Sequence, residues 1–127
     1  MTSPKCILIV DDEPEIREVL STYLVTKENY SVEEAGDIRE ATDVIRKTRV
    51  DIVFLDIQLP GVHGIEILKV LKKTDKSIKV VMMSGYATEE IAKESLEEGA
   101  FDYLRKPFEL SQIDRILASI EISDMEV

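Results

Sequence analysis

Residues 51–56 read Asp51-Ile52-Val53-Phe54-Leu55-Asp56, wholly apolar after the first residue and closed by a carboxylate. A short run of this kind, followed by the turn signal Leu59-Pro60-Gly61, fits a central parallel strand buried on both faces. Working outward, the same unit recurs. Lys5 to Val10 is a β-rich run that ends at Asp11-Asp12. Glu13 to Lys27 follows, with Ile16, Val19, Leu20, Tyr23 and Leu24 on one helical face and Pro14 in the first turn, where its missing N–H is harmless. Tyr30 to Ala35 is a more polar strand, suited to an edge, and Asp37 can cap a helix carrying Ile38, Ala41 and Ile45.

Beyond residue 56 the alternation continues. The pattern predicts a helix over Gly64–Lys73 with Ile67, Leu68 and Leu71 inward, then a strand over Ile78–Met83 ending at Ser84-Gly85. Thr88–Glu98 is a helix with a thin apolar face of Ile91, Ala92 and Leu96, stopped by Gly99. Ala100–Leu104 is a fifth strand, and Glu109–Glu121 a fifth helix with Leu110, Ile113, Leu117 and Ile120 inward. Five strand–helix units with short connections predict an α/β domain over 1–127: one doubly wound parallel sheet, right-handed crossovers and helices on both faces.

Composition narrows the function. The chain has 127 residues, one domain's worth, and 44% of them are hydrophobic, enough for a packed core without disulfides. Twenty-six acidic against sixteen basic side chains give a net charge of -10, which argues against a nucleic-acid surface and allows binding of cations or a basic protein face. Cys6 is the only cysteine and sits in an apolar run, so it reads as a small buried hydrophobe. The N-terminal stretch lacks signal-peptide character and no run approaches a membrane span, so a cytoplasmic location is expected.

In open parallel sheets, sites form beyond the carboxyl ends of the strands. Those ends offer Asp11 and Asp12, Asp56, Ser84 and Lys106. Carboxylates converging there repel one another and call for a hard cation, for which Mg²⁺ is the natural choice. Zinc is disfavoured because no His or Cys joins the group; His63 reads as a solvent-facing loop residue. One carboxylate can also attack a phosphoryl group, with an ammonium and a hydroxyl to receive the phosphoryl oxygens. Singly, each residue has a plain structural explanation: an N-cap, a turn, a loop serine, a surface lysine. Together at successive strand ends they form a set chemically complete for phosphoryl capture.

These residues carry a resemblance. Ile9-Val10-Asp11-Asp12-Glu13, Asp56-Ile57-Gln58-Leu59-Pro60-Gly61 with Gly64, Met83-Ser84-Gly85-Tyr86-Ala87, and Gly99-Ala100-Phe101-Asp102-Tyr103-Leu104-Arg105-Lys106-Pro107-Phe108 together resemble response-regulator receiver domains over nearly the whole length. The resemblance implies a flavodoxin-like strand order 2-1-3-4-5, and roles for particular residues. Asp56 matches the phosphoacceptor. Asp11 and Asp12 match the acidic pair, Asp12 as the direct Mg²⁺ ligand and Asp11 through water, with the Gln58 backbone carbonyl completing the protein ligands. Ser84 and Tyr103 match the switch pair, Lys106 the phosphate-pairing lysine, and Pro107 a proline whose preceding peptide bond is commonly cis. Ser84 stands where Thr is more frequent, and His63 where relatives are often acidic.

The function implied is a switch phosphorylated by a sensor histidine kinase or phosphotransfer protein, whose fourth helix, fifth strand and fifth helix signal to a downstream protein or effector domain, a phosphorylation-dependent dimer being one such output. Catalysis is then confined to the domain's own phosphotransfer and dephosphorylation. Either a single-domain regulator or the receiver of a longer protein fits. The alternatives are a degenerate receiver that binds partners without phosphorylation, against which the complete acidic set and Lys106 count, and a true phosphatase or phosphotransferase using an Asp nucleophile. The latter usually needs a second acid near the nucleophile, where this chain has Gln58.

Overall fold

The computed structural model describes residues 4–86 and 88–125; Ala87, which closes one of the quoted motifs, lies outside the described residues, as do 1–3 and 126–127. The chain runs β1 (Lys5–Val10), α1 (Pro14–Leu24), β2 (Tyr30–Ala35), α2 (Ile38–Lys47), β3 (Ile52–Asp56), β4 (Gln58–Leu59) and β5 (Val62–His63). It continues through α3 (Gly64–Thr74), β6 (Lys79–Ser84), α4 (Glu89–Glu97), β7 (Asp102–Arg105) and α5 (Leu110–Met125). One five-stranded sheet has the order β2-β1-β3-β6-β7, with every pairing parallel. Counting only its own strands, that order is 2-1-3-4-5, as the resemblance implied.

The period of two along each strand divides the core. Leu8, Val10, Val53, Leu55, Val80 and Met82 face α2, α3 and the Ile91 side of α4. Ile7, Ile9, Ile52, Phe54, Val81 and Met83 face α1 and α5. All five residues of β3 are buried, which explains the unbroken apolar run over 52–55. β2 lies at an edge and is fully buried only at Tyr30 and Ala35, matching its polar composition. Helix starts follow local chemistry. The Asp37 carboxylate accepts from Glu40 N at 2.8 Å while Glu40 Oε1 accepts from Gly36 N at 2.7 Å, a reciprocal cap of α2.

Three inward assignments are corrected. Val19 is 53% exposed, Leu110 40% and Leu96 50%. A helix lying on a sheet buries only a narrow stripe, and in α1 Leu20 and Leu24 fill it. In α4 the buried residue is Ser95, whose hydroxyl donates to Ile91 O at 2.8 Å and so can leave water without loss. The segment after β3, read as a plain turn, is the two-residue antiparallel ladder β4–β5, closed at Gly61 with φ of 76°.

Gly64 fixes this segment beneath the sheet end. Its N–H donates to Ile57 O at 2.7 Å, and a Cβ at this position would lie 2.4 Å from Ile57 Cα. The clash is with backbone, which cannot swing aside. Gly64→Ala is expected to lower unfolding free energy by about 2–3 kcal/mol, the upper range for overpacking, and denaturant midpoints will measure it.

Candidate functional site

Strand register builds the site. Val10 pairs with Leu55, Asp56 with Met83, and Ser84 with Arg105. Asp11, Asp56, Ser84 and Lys106 therefore leave adjacent strands within a few residues of one level. Their side chains converge: the Lys106 ammonium lies 2.6 Å from Asp11 Oδ2, 3.1 Å from Glu13 Oε1 and 3.4 Å from Asp56 Oδ2. Carboxylate oxygens of Asp11, Asp12, Glu13 and Asp56 all fall within 4.8 Å of one another. The Lys106–Pro107 peptide is cis.

Each carboxylate is held differently. Asp11 Oδ1 accepts from Glu13 N and Asp56 Oδ1 from Gln58 N, both at 2.9 Å. Asp11 and Asp56 are buried, whereas Asp12 and Glu13 are exposed. Asp11 Oδ2 is buried, and Lys106 is its ion-pair partner at 2.6 Å. Burial pushes the Asp56 carboxyl above its ordinary range and Asp11 pushes it further, against the opposing pull of Gln58 N–H and Lys106. Burial lowers the Lys106 ammonium, but its contacts with Asp11 and Glu13 outweigh that and its net shift is upward. Four carboxylates within 4.8 Å of one another, opposed by one ammonium, form an all-oxygen set that fits a hard divalent cation such as Mg²⁺.

Ser84 is buried and its Oγ accepts from Tyr86 N at 3.0 Å. The Tyr103 hydroxyl is buried without a hydrogen-bond partner among the described residues, and its ring packs against the α3 side of the core. Burial pushes that hydroxyl up while the Ser84 hydroxyl pulls it down. The ring is therefore already turned inward. Gln58 is exposed beside Asp56, and the ring of Tyr86 stands in solvent, 77% exposed. His63 is exposed and outside the carboxylate group, but it is not idle: its Nδ1 accepts from Ile65 N at 3.3 Å and caps α3.

Glu13 is the residue that strand-end reasoning passed over. It follows Asp11-Asp12 directly, and the run of three acids was the available signal; only the return of Lys106 from β7 shows that its carboxylate joins the group.

The model of the response regulator receiver domain matches residues 7–118. The chain belongs to the response regulator receiver family. The domain is 41% identical over 107 residues to sporulation initiation phosphotransferase F of Bacillus subtilis, covering 84% of this chain and 86% of that protein. A CheY-like receiver domain protein from Methanospirillum hungatei superposes with a TM-score of 0.86 at 31% identity, covering 98% of this chain and all of that one. A CheX–CheY–BeF3–Mg²⁺ complex from Borrelia burgdorferi matches with a TM-score of 0.83 at 30% identity, covering 93% of this chain and 90% of that one. The receiver spans only 24–48% of the length of four further curated relatives. Among the described residues no helix is long and apolar enough to cross a membrane.

Proposed function

We propose that this receiver is a phosphorylation switch that accepts a phosphoryl group on Asp56 from a histidine kinase or phosphotransfer protein. The observation that carries the reading is one ammonium, Lys106, held between Asp11 and Asp56 in a group of four carboxylates at the strand ends. Asp11, Asp12, Asp56 and the Gln58 carbonyl would hold Mg²⁺, with Asp11 acting through water. Bound there, the ion neutralises charge on the phosphoryl oxygens.

The buried Asp56 oxygen attacks phosphorus, an O–P bond forms, and the P–N bond to the donor imidazole breaks, its electron pair returning to the ring. Lys106 shifts from its carboxylates onto a phosphoryl oxygen, and the Ser84 hydroxyl donates to another. Among the described residues the Tyr103 hydroxyl has no hydrogen bond, a state that costs about 1–3 kcal/mol, so its inward placement is open to reweighting when Ser84 moves. The surface formed by α4, β7 and α5 then signals to a downstream protein or effector domain, or to a second copy. Moving a two-state ratio from 1:99 to 99:1 takes about 5.5 kcal/mol, which a few charge-assisted hydrogen bonds at roughly 1.5–3 kcal/mol each can supply. The domain acts chemically only on itself, in the cytoplasm.

Support comes from the phosphotransferase relative and from the Borrelia CheY complex, which contains Mg²⁺ and BeF3. The test is intact-mass spectrometry after incubation with acetyl phosphate. One phosphoryl group is expected with Mg²⁺ and none with EDTA; labelling that ignores EDTA would remove the metal from the reading.

A further inference from the structure

Arg17 lies outside the carboxylate group, one turn into α1. Its Nη1 donates to the backbone carbonyl of Asp11 at 2.5 Å, and its Nε lies 3.6 Å from Glu34 Oε1 on β2. A third neighbour makes the fit close: a Cβ at Gly36 would come 3.1 Å from Nη1, so glycine there leaves the guanidinium its place. The Arg17 side chain is 20% exposed. It thus ties together the end of β1, the end of β2 and the first turn of α1.

The peptide it grips is the one between Asp11 and Asp12. The acids of this cluster differ in what orients them. Asp11 and Asp56 carboxylates are held by backbone N–H groups and Lys106. Glu13 is held by Lys106. The exposed Asp12 carboxylate has no hydrogen bond or ion pair among the described residues, so only its backbone orients it. The Asp11 carbonyl and the Asp12 nitrogen share one rigid plane. A planar guanidinium with two anchors fixes that plane where a single donor would let it rock.

We propose that Arg17 is a positioning residue for divalent-cation binding, acting through the Asp11–Asp12 peptide to aim the Asp12 carboxylate. The inference rests on the metal reading above. It makes a prediction opposite in sign to simple electrostatics. Removing a positive charge beside an acidic cluster strengthens cation binding by Coulomb's law. Loss of an orienting group weakens it, by about 10-fold or more for residues that support a ligand.

Calorimetric titration with MgCl2 on the whole chain separates the two. Arg17→Met keeps the apolar stem and removes the charge; it is expected to bind Mg²⁺ about 10-fold more weakly than wild type. Arg17→Lys, which keeps the charge and one donor for the Asp11 carbonyl but not the planar two-point grip, is expected to recover only part of the affinity and to bind between Arg17→Met and wild type. Melting in EDTA gives the metal-free stability of each variant. A purely structural role would lower melting and leave the Mg²⁺ dissociation constant where it was. Arg17→Met binding as tightly as wild type, or more tightly, overturns the proposal, as does a Lys variant no better than Met. Asp12→Ala serves as the reference: if it too binds like wild type, the metal reading itself has failed. If it loses binding while Arg17→Met does not, the inference about Arg17 alone has failed.

Discussion

Asp56→Asn is expected to take up no phosphoryl group from acetyl phosphate and Mg²⁺ under conditions in which the wild-type receiver takes up one. The amide has the shape of the carboxylate but not its charge or nucleophilic lone pairs, so the O–P bond cannot form. The same substitution is expected to stabilise the metal-free protein. Asp56 is 4% exposed and faces Asp11, and these two conditions raise its carboxyl above the ordinary 3.8. A carboxyl whose folded value is raised contributes stability that is complete below the unfolded value and lost as pH rises through the folded one. Metal-free wild type should therefore lose stability as pH climbs from 3.8 through the raised value, and the Asn variant should lack that slope. At neutral pH in EDTA the Asn variant is expected to melt higher by about 2–6 °C, corresponding to roughly 1 kcal/mol of relieved repulsion. Phosphoryl uptake by the Asn variant would move the acceptor elsewhere; a lower melting point would mean that Asp56 is structurally needed as an anion.

Asp12→Ala is expected to weaken Mg²⁺ binding by at least about 100-fold, beyond the range for residues that only support a ligand. His63→Ala should change it by less than about twofold. Mg²⁺ prefers carboxylate oxygen, and Asp12 offers an exposed carboxylate, unengaged among the described residues, within 4.8 Å of three others. His63 spends its acceptor nitrogen on Ile65 N–H and stands outside that group. Its loss should appear instead as a modest drop in stability, the expected result of losing a helix cap, about 1 kcal/mol. Affinity should also fall with pH, because a proton on Asp56 excludes the metal and its raised carboxyl takes that proton earlier than an ordinary one. Titrations of both variants across pH will read the two effects. A larger loss in the histidine variant would transfer the metal to the β4–β5 ladder.

Much of this was written in the chain itself. Alternating apolar runs and helix-period segments determined a parallel sheet with helices on both faces, because a strand as apolar as 52–55 has no stable place except between two covering layers. Strand ends then named Asp11, Asp12, Asp56, Ser84 and Lys106, since parallel strands deliver their last residues to one edge. Other features depended on distances between segments far apart in sequence. Glu13 joins the cluster because the fold brings it within 4.8 Å of Asp56 and within 3.1 Å of Lys106, 93 residues later. Arg17 grips the Asp11 carbonyl only because β1, β2 and α1 end at one corner. Gly64 is required by the close approach of Ile57, which no local pattern records. Val19 and Leu110 are apolar yet exposed, since the width of a buried stripe is set by the surface beneath the helix and not by the helix's own sequence. Periodicity is a local property and is legible along the chain; side-chain convergence depends on register and packing angle, which only the assembled sheet fixes.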